Sequence, residues 1–401
     1  MLQKLFAIHN SVLEGFDSTR KRYLYDRINW DVQALCVTGA RGVGKTTLLL
    51  QHYKERYDDP RQCLYISGDS IHVAALGLFD SVQKYFDHGG KAVIIDEIHK
   101  YPNWAQELKN IIDTFRNRKI LVSGSSSLDL KRAKYDLSRR VVYYELKGLS
   151  FREYLAFSYG LDLPSSPLDT VLRDHVAIAS DLSARQPVLQ RFKEYLQHGF
   201  YPYYLEGVNE YPHRVMNTVE KVLFEDIAVI DNLTQAKLPV LKKMLWLLAS
   251  SKPFMLNLSG MSRDLGITRT YVAHYLELLE LAGLVTLLTP DAKGAALVRK
   301  SGKLYFDNTN LIYAIEGSLP NDAESGTLRE TFLVNQLRTK HAVTLHDKAD
   351  LIVDGDLAVE IGGTSKKKKQ LRGATKGIVA MDGVTVGAGD TIPLYLFGML
   401  Y

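Results

Sequence analysis

Residues 39–46, Gly39-Ala-Arg-Gly-Val-Gly44-Lys45-Thr46, match the phosphate-binding pattern G-x-x-x-x-G-K-[ST]. The apolar run before them, residues 34–38, is typical of a buried strand, and residues 47–54 are typical of a helix. Such a loop turns successive backbone N–H groups towards one anion, and the N-terminus of the helix reinforces the attraction. We therefore predict an α/β fold with a parallel sheet. Its predicted nucleotide-binding residues are Gly39, Ala40, Arg41, Gly42, Val43, Gly44, Lys45, Thr46 and Thr47.

Within this loop, two side chains have predicted roles. Lys45 would reach the β- and γ-phosphates of a nucleoside triphosphate, and the Thr46 hydroxyl would hold Mg²⁺.

A second motif, Ala92-Val-Ile-Ile-Asp96-Glu97, predicts hydrolysis. Four apolar residues followed by two acids are typical of a buried parallel strand, and ligands bind at the carboxyl end of such strands. Asp96 would hold Mg²⁺, directly or through water, and Glu97 would act as the general base that polarises the attacking water. The alternative is an ordinary strand that ends in solvated acids.

The next predicted strand begins at Lys119 and ends in hydroxyls at Ser123 and Ser125 to Ser127. In ATPases that place a strand between the two motif strands, its polar tip lies beside the γ-phosphate. Ser123 or Ser125 would then sense the nucleotide, although a serine-rich loop explains the same residues. Between the motifs, Asn103 is a candidate N-cap for a helix whose apolar positions include Trp104, Leu108 and Ile111.

Bulk composition is that of an ordinary soluble globular protein, with 46% apolar and 24% charged residues among 401. No stretch approaches the ~18 apolar residues of a membrane span, and the first residues lack a signal-peptide core, so we expect a cytoplasmic protein with no membrane partner. Cys36 and Cys63 are expected as small buried residues of two strands. The net charge of +5 does not itself indicate a nucleic-acid partner.

The chain is predicted to have five parts. These are an N-terminal lead-in (1–30), the phosphate-loop core (31–150), a helical region (151–250), a winged helix (251–303) and a small α/β domain (304–401). The core strands are expected at 34–38, 63–67, 92–96, 119–124 and 141–146.

Residues 255–306 suggest a winged helix-turn-helix. A short helix from Leu258 would end at Gly266, and Thr268 would cap a second helix that runs to Ala282. Residues 251–303 carry seven Lys/Arg against four Asp/Glu, a net of +3. Outward-facing groups would contact DNA, or else form the solvated rim of a packing module. The candidate groups are Arg269, Thr270, His274, Arg299, Lys300 and Lys303.

Taken together, the chain resembles a bacterial and archaeal family of AAA-type ATPases with a C-terminal domain of unknown function. The resemblance rests on residues 38–47, 95–104, 122–127, 149–155, 199–202 and 303–308. It implies an AAA module followed by a winged helix and a restriction-endonuclease-like fold, with ATP as nucleotide. No guanine-specific N-K-x-D stretch follows the core.

The resemblance also implies an arginine finger before the last core strand. The family segment S-L-x-G-R is similar to the stretch Ser138-Arg139-Arg140-Val141, in which Arg139 replaces the glycine. Arg139 or Arg140 would act on a neighbouring subunit's γ-phosphate, which implies a homo-oligomer. Either residue could instead be a surface arginine.

The tail resembles a nuclease core of the form D…E-x-K. Asp350 and Glu360 match its carboxylates, but Gly362 stands where the lysine is expected. Without that lysine we expect no DNA cleavage, although Lys366 to Lys369 could approach phosphates. A scaffold or nucleic-acid-binding role is favoured.

Three functions remain open from the sequence. The first is Mg²⁺-dependent ATP hydrolysis coupled to conformational change, with DNA as a candidate partner. The second is a nucleotide-controlled switch or scaffold for a protein partner with little turnover. The third is a DNA-processing factor that uses the tail.

Overall fold

The computed structural model describes residues 2–16, 19–125, 137, 139–227, 237–249, 256–290, 302–316, 325–346, 348–364 and 376–401. The chain divides into two compact units, Met1–Lys147 and Gly148–Tyr401, called unit 1 and unit 2 below. The five-part division predicted from the sequence stays a prediction.

Unit 1 contains a five-stranded sheet in which every pair of neighbours is parallel. Its strands are β1 (Ala34–Gly39), β2 (Cys63–Ser67), β3 (Ala92–Asp96), β4 (Lys119–Ser125) and β5 (Val142–Glu145), in the order β2-β3-β4-β1-β5. The predicted parallel core is confirmed, and so is the placement of β4 between the two motif strands. Strand β5 is shorter than expected and lies at the edge of the sheet.

Helices pack around this sheet because its strands are almost wholly apolar. They are α1 (Leu2–Leu13), α2 (Lys45–Arg56), α3 (Ile71–Leu76), α4 (Leu78–Asp87) and α5 (Trp104–Thr114). Every residue of β3 is buried, and Cys36 and Cys63 are buried as expected. The core of the unit therefore ends at the carboxyl edge of the sheet, where the polar motif residues begin.

Helix α5 has the predicted apolar face but not the predicted cap. Trp104, Leu108, Ile111 and Ile112 are buried. Asn103 occupies the N-cap position, but its φ of 56° is left-handed and its side chain accepts no capping hydrogen bond. The capping prediction was wrong, because an N-cap side chain reaches the first turn from an extended backbone.

Unit 2 begins with helices and ends with a second sheet. The helices described are α6 (Phe151–Tyr159), α7 (Leu168–Arg185), α8 (Val188–His198), α9 (Tyr211–Lys221), α10 (Leu238–Ala249), α11 (Leu258–Leu265), α12 (Arg269–Leu281), α13 (Thr309–Glu316) and α14 (Ser325–Leu337). Strands β6 (Val285–Leu288) and β7 (Lys303–Phe306) form an antiparallel pair. The second sheet is mixed, and each of its strands lies beside the next one along the chain. These strands are β8 (Val343–Leu345), β9 (Leu351–Val353), β10 (Leu357–Gly362), β11 (Lys376–Met381) and β12 (Thr391–Pro393).

Helices α11 and α12 follow the sequence expectation closely. Gly266 ends α11 in a left-handed conformation, and the Thr268 hydroxyl accepts from the backbone N–H of Tyr271. Val272 and Leu279 are among the buried residues of α12. The glycine at the helix end and the threonine at the N-cap are reliable signals, because few residue types fit either backbone position.

Two motif stretches of unit 2 meet in a buried polar network. The Asn310 carbonyl accepts from the backbone N–H of Phe200 at 2.8 Å, and its amide donates to the carbonyls of Tyr195 (3.2 Å) and Leu196 (2.8 Å). The Tyr211 hydroxyl donates to the same Asn310 oxygen. These contacts join α8, α9 and α13. Beside them, the Asn308 amide donates to the Tyr201 hydroxyl at 3.1 Å, so the stretches 199–202 and 303–308 meet at a structural junction.

Among the described helices, none is both long enough and apolar enough to cross a membrane.

Candidate nucleotide-binding site

The phosphate loop lies between the carboxyl end of β1 and the start of α2. Gly44 precedes the helix with a φ of 96°, a left-handed value that favours glycine. A Cβ at Gly39 would lie 2.3 Å from the carbonyl oxygen of Leu146, so the chain after β5 passes too close for any side chain. The glycines are therefore required by the loop geometry.

Lys45 is the first residue of α2, and its side chain is buried. Its ammonium donates to the carbonyls of Gly39 (3.1 Å) and Ala40 (3.0 Å). The charge is thus held inside the curve of the loop, where an anion bound by the backbone N–H groups would meet it.

Asp96 ends β3 and accepts three side-chain hydroxyls. Oδ2 accepts from Thr46 at 2.8 Å and from Tyr65 at 2.9 Å, and Oδ1 accepts from Ser123. The parallel register explains this meeting, because β4 runs beside both β3 and β1. The buried Tyr65 hydroxyl has its pKa raised by burial and by the Asp96 carboxylate, so it remains a proton donor.

Glu97 follows Asp96 with its backbone in the left-handed region, at a φ of 48°. Its N–H donates to the Ser123 hydroxyl at 3.0 Å, and its carboxylate lies 3.4 Å from Nε2 of His99. Burial, with the cations Lys45, Lys100 and Arg41, lowers the pKa of His99 to about 3, while Asp96 acts in the opposite direction. The His99 ring is therefore neutral near pH 7.

Thr46 and Asp96 present adjacent oxygen atoms of the kind that Mg²⁺ prefers. Among the described residues, no group of three or more His, Cys, Asp or Glu side chains could hold a metal ion. A magnesium ion that binds through one or two protein oxygens and otherwise through phosphates and water fits this donor set.

Sequence reasoning missed two neighbours of the loop. Arg22 is buried, and its guanidinium donates to the carbonyl of Val43 and, at 2.7 Å, to that of Lys147. Tyr65 lies in an otherwise apolar stretch of β2. The tyrosine in that strand was the one available signal, since the contacts of Arg22 depend on the folded path of the chain.

The remaining predicted loop and strand residues lie around this centre. Val43 is buried, Arg41 is half-buried and Thr47 is exposed. Ser125 ends β4, and its N–H donates to Nδ1 of His99 at 3.3 Å. Ser126 and Ser127 lie outside the described residues.

The candidate finger arginines lie at the opposite end of the sheet from the loop. Arg140 precedes β5, whereas the loop follows the carboxyl end of β1, and these strands are parallel. Arg140 Nε is 2.7 Å from Asp113 Oδ1, and both side chains are partly exposed. Arg139 is exposed, and Ser138 lies outside the described residues.

In unit 2, the nuclease-like Asp350 directly precedes β9, and Glu360 lies on the neighbouring strand β10. Oδ2 of Asp350 accepts from the backbone N–H of Ile361 at 2.7 Å, next to the buried Glu360. Gly362 ends β10. Lys366 to Lys369 lie outside the described residues.

Among the predicted DNA-facing groups, Arg269 and Thr270 are exposed and His274 is half-buried. Lys303 is not on an exposed wing, because its ammonium pairs with Glu330 and its side chain is only 19% exposed. That expectation was wrong. Arg299 and Lys300 lie outside the described residues.

Two known protein families match parts of the chain, and one of them covers the site. A family described as "AAA domain" matches residues 31–155, which include the loop, Asp96, Glu97 and Ser123. A family described as "Domain of unknown function (DUF8612)" matches residues 189–322. Unit 1 is therefore similar to AAA domains over most of its length.

One curated relative is similar over nearly the whole chain. It is the "Uncharacterized protein MJ1637" of Methanocaldococcus jannaschii, 25% identical, with 94% of this chain and 87% of the relative covered.

Two solved structures show weaker likeness. AMPPCP-bound DnaA from Aquifex aeolicus is 13% identical, has a TM-score of 0.28 and covers 64% of this chain and 84% of its own. Pif1 helicase from Candida albicans is 17% identical, has a TM-score of 0.24 and covers 39% and 46%. TM-scores this low do not establish a shared overall fold.

Proposed function

We propose that unit 1 binds ATP with magnesium and hydrolyses it to ADP and phosphate, and that this cycle changes the conformation of the chain. The observation that carries the proposal is the 2.8 Å hydrogen bond between Thr46 and Asp96. It joins the start of the loop helix to the end of a second strand, beside a further carboxylate at Glu97. The match of residues 31–155 to AAA domains supports it.

Binding would use groups that already converge. The Lys45 ammonium, which now donates to two loop carbonyls, would exchange them for oxygens of the β- and γ-phosphates. When bound, magnesium would take oxygen ligands from Thr46 and Asp96 and offset the phosphate charge.

Hydrolysis would use Glu97 as general base. Its carboxylate would accept a proton from a water whose oxygen forms the new bond to the γ-phosphorus, while the bond from that phosphorus to the ADP oxygen breaks. The Ser123 hydroxyl lies between Asp96 and the Glu97 backbone, so it would place the base relative to the metal ligand.

Steady-state ATP hydrolysis with Mg²⁺, beside Glu97→Gln, tests this function. We expect turnover in the wild type and a fall of about 10²–10⁴-fold in the variant, the range for removal of a general base. Equal turnover in both proteins, or none in the wild type, would contradict the proposal.

DNA is the second part of the proposal. Helices α11 and α12 with strands β6 and β7 have the order of a winged helix, and Arg269 and Thr270 are exposed in the first turn of α12. Stimulation of the same turnover by double-stranded DNA, reduced by Arg269→Ala, would support contact with DNA. Turnover indifferent to DNA would favour a switch that controls a protein partner.

We further propose that Arg140 acts in trans if copies of the chain assemble, since in its own chain it pairs with Asp113 far from the loop. Arg140→Ala should then lower turnover only at protein concentrations where the chain self-associates, whereas Asp113→Asn should not. An equal loss in dilute monomer would contradict a role in trans.

For the tail we propose a docking or nucleic-acid-binding role without cleavage, because Gly362 offers no lysine beside Asp350 and Glu360. Incubation of the protein with plasmid DNA and Mg²⁺ tests this, and nicking that Glu360→Gln abolishes would contradict it.

A further inference from the structure

We propose that His99 is a positioning residue that couples the tip of β4 to the Glu97 carboxylate. The assignment rests on the proposed hydrolysis, and it concerns how the base is held. His99 lies in the short helix Ile98–Lys100 directly after Glu97, and its side chain is only 8% exposed.

The main chain of Glu97 is already fixed on both sides. Its N–H donates to the Ser123 hydroxyl, and its carbonyl accepts from the backbone N–H of Lys100 at 3.0 Å. A Cβ at Gly68 would lie 2.7 Å from the Glu97 carbonyl oxygen, so the connection after β2 is packed against this turn. The freedom that remains is that of the Glu97 side chain, which is 23% exposed.

Within the described part of the chain, the His99 ring is the one group at ion-pair distance from that carboxylate. The contact joins Nε2 of His99 to Oε2 of Glu97 at 3.4 Å. At this distance Nε2 makes no hydrogen bond: it is buried and has no hydrogen-bond partner in the described part of the chain, so an approach of a few tenths of an ångström would form one.

The opposite side of the ring fixes which nitrogen carries the hydrogen. The Ser125 N–H donates to Nδ1, so the neutral ring has its hydrogen on Nε2, which is the atom that faces Glu97. Ser125 is the last residue of β4, the strand between the two motif strands. A movement of this strand end would therefore bring the Nε2 donor towards the Glu97 carboxylate or away from it.

The neutral state of the ring matters for this role. Burial lowers the pKa of His99 most, and the charges of Lys45, Lys100 and Arg41 lower it further, against the opposing effect of Asp96. A neutral N–H can orient the carboxylate, whereas a cation at the same place would stabilise the charged form and weaken its basicity.

The test compares His99→Gln with His99→Phe in the full-length protein. Glutamine can place an oxygen near the Ser125 N–H and an amide N–H near Glu97, whereas phenylalanine keeps an aromatic ring without either nitrogen. We measure kcat and KM for MgATP, equilibrium binding of ATP, and the melting temperature of each protein. We expect His99→Gln to keep kcat within about threefold and His99→Phe to lose about 10- to 100-fold, the scale for a misplaced catalytic group. KM and ATP affinity should stay unchanged in both.

Three outcomes would overturn the assignment. One is full kcat in His99→Phe, which would mean that the ring acts only by packing. Another is an equal loss in both variants, which would mean that the hydrogen-bonding atoms that glutamine supplies do not replace the function of the ring. A loss that appears in KM or in ATP affinity would place His99 in binding instead. Absence of turnover in the wild type would overturn the proposed function itself, and with it this role. A lowered melting temperature would show that His99→Phe is misfolded or destabilised. The test then rests on His99→Gln of normal stability, in which a loss of kcat greater than about threefold would contradict the assignment.

Discussion

The polar side chains around Asp96 in unit 1 come from three strands and helix α2 and meet at the carboxyl edge of a parallel sheet, whereas the polar group around Asn310 in unit 2 bonds to other side chains and to the backbone. Around Asp96, the hydroxyls of Thr46, Tyr65 and Ser123 converge beside the half-buried Glu97. Around Asn310, the hydrogen bonds with Phe200, Tyr211 and Leu196 join separate helices and a loop in the interior. Polar motifs that look alike in the sequence thus have different roles: the group around Asp96 is placed to bind a ligand, and the group around Asn310 holds the helices of the core together.

After Glu97→Gln, the largest expected effect is that of Lys45→Ala. Loss of the ammonium from the loop removes the charge that would meet the phosphates, so turnover should fall about 10²–10³-fold, the scale for removal of one electrostatic contact in an active site. Steady-state hydrolysis and ATP binding measure the effect. Lys54→Ala is the matched control, since Lys54 lies on the same helix and pairs with the exposed Asp58. Comparable losses of turnover in the two variants would show that the loop lysine contributes no more than an exposed lysine on the same helix.

Asn310→Ala should destabilise unit 2 without a direct effect on the site. It leaves the Phe200 N–H, the Tyr211 hydroxyl and the Leu196 carbonyl short of a partner in the interior, which costs about 2–4 kcal/mol in total. Hydrogen exchange of peptides from α8 and α13 reports this locally. Asn110→Ala, at an exposed position, serves as control. Unchanged exchange in α8 and α13 would show that the network is not needed to close the core.

Acid should weaken unit 1 through His9. Its Nδ1 accepts from the Tyr65 N–H at 2.9 Å, and burial, with Lys54, lowers its pKa to about 4 against the opposing effect of Asp59. Because the folded pKa lies below the unfolded value, the unfolded chain binds the proton first. The stabilisation is complete above about pH 6.5 and declines as the pH falls towards 4, by on the order of 2 kcal/mol.

Chemical unfolding of wild type and His9→Gln at pH 7 and pH 4.5 isolates this effect from the carboxylates. Glutamine can still accept from the Tyr65 N–H but does not titrate, so its stability should fall less with acid. Parallel losses in both proteins would contradict the role of His9.

Ser123→Ala should give the smallest of these effects. The hydroxyl bridges Asp96 and the Glu97 backbone, so its loss should lower kcat about 10-fold, the scale of one hydrogen bond, with ATP affinity kept. Ser125→Ala is the control, because Ser125 contacts His99 through its backbone N–H, which alanine retains. A larger loss of kcat in Ser125→Ala than in Ser123→Ala would assign this role to the Ser125 hydroxyl instead.

The sequence predicted the parallel core and the residues that approach one another at its edge, because these follow from local patterns. The five strands lie within a residue or two of their expected bounds. Tyr65, Arg22 and His99 were not assigned a role, since each acts across the fold and by pattern resembles an ordinary strand or turn residue. Asn103 shows the opposite error, because a favourable residue type stands at a backbone conformation in which it does not cap.

Single-turnover hydrolysis of bound ATP by the wild type and by Glu97→Gln tests the central claim most directly. With protein in excess over labelled ATP and with Mg²⁺ present, both proteins should bind the nucleotide. The wild type should convert it to ADP, and the variant should convert it at least about 100-fold more slowly. Equal conversion in the two proteins would remove Glu97 from the chemistry, and failure of the wild type to bind ATP would contradict the account of unit 1 altogether.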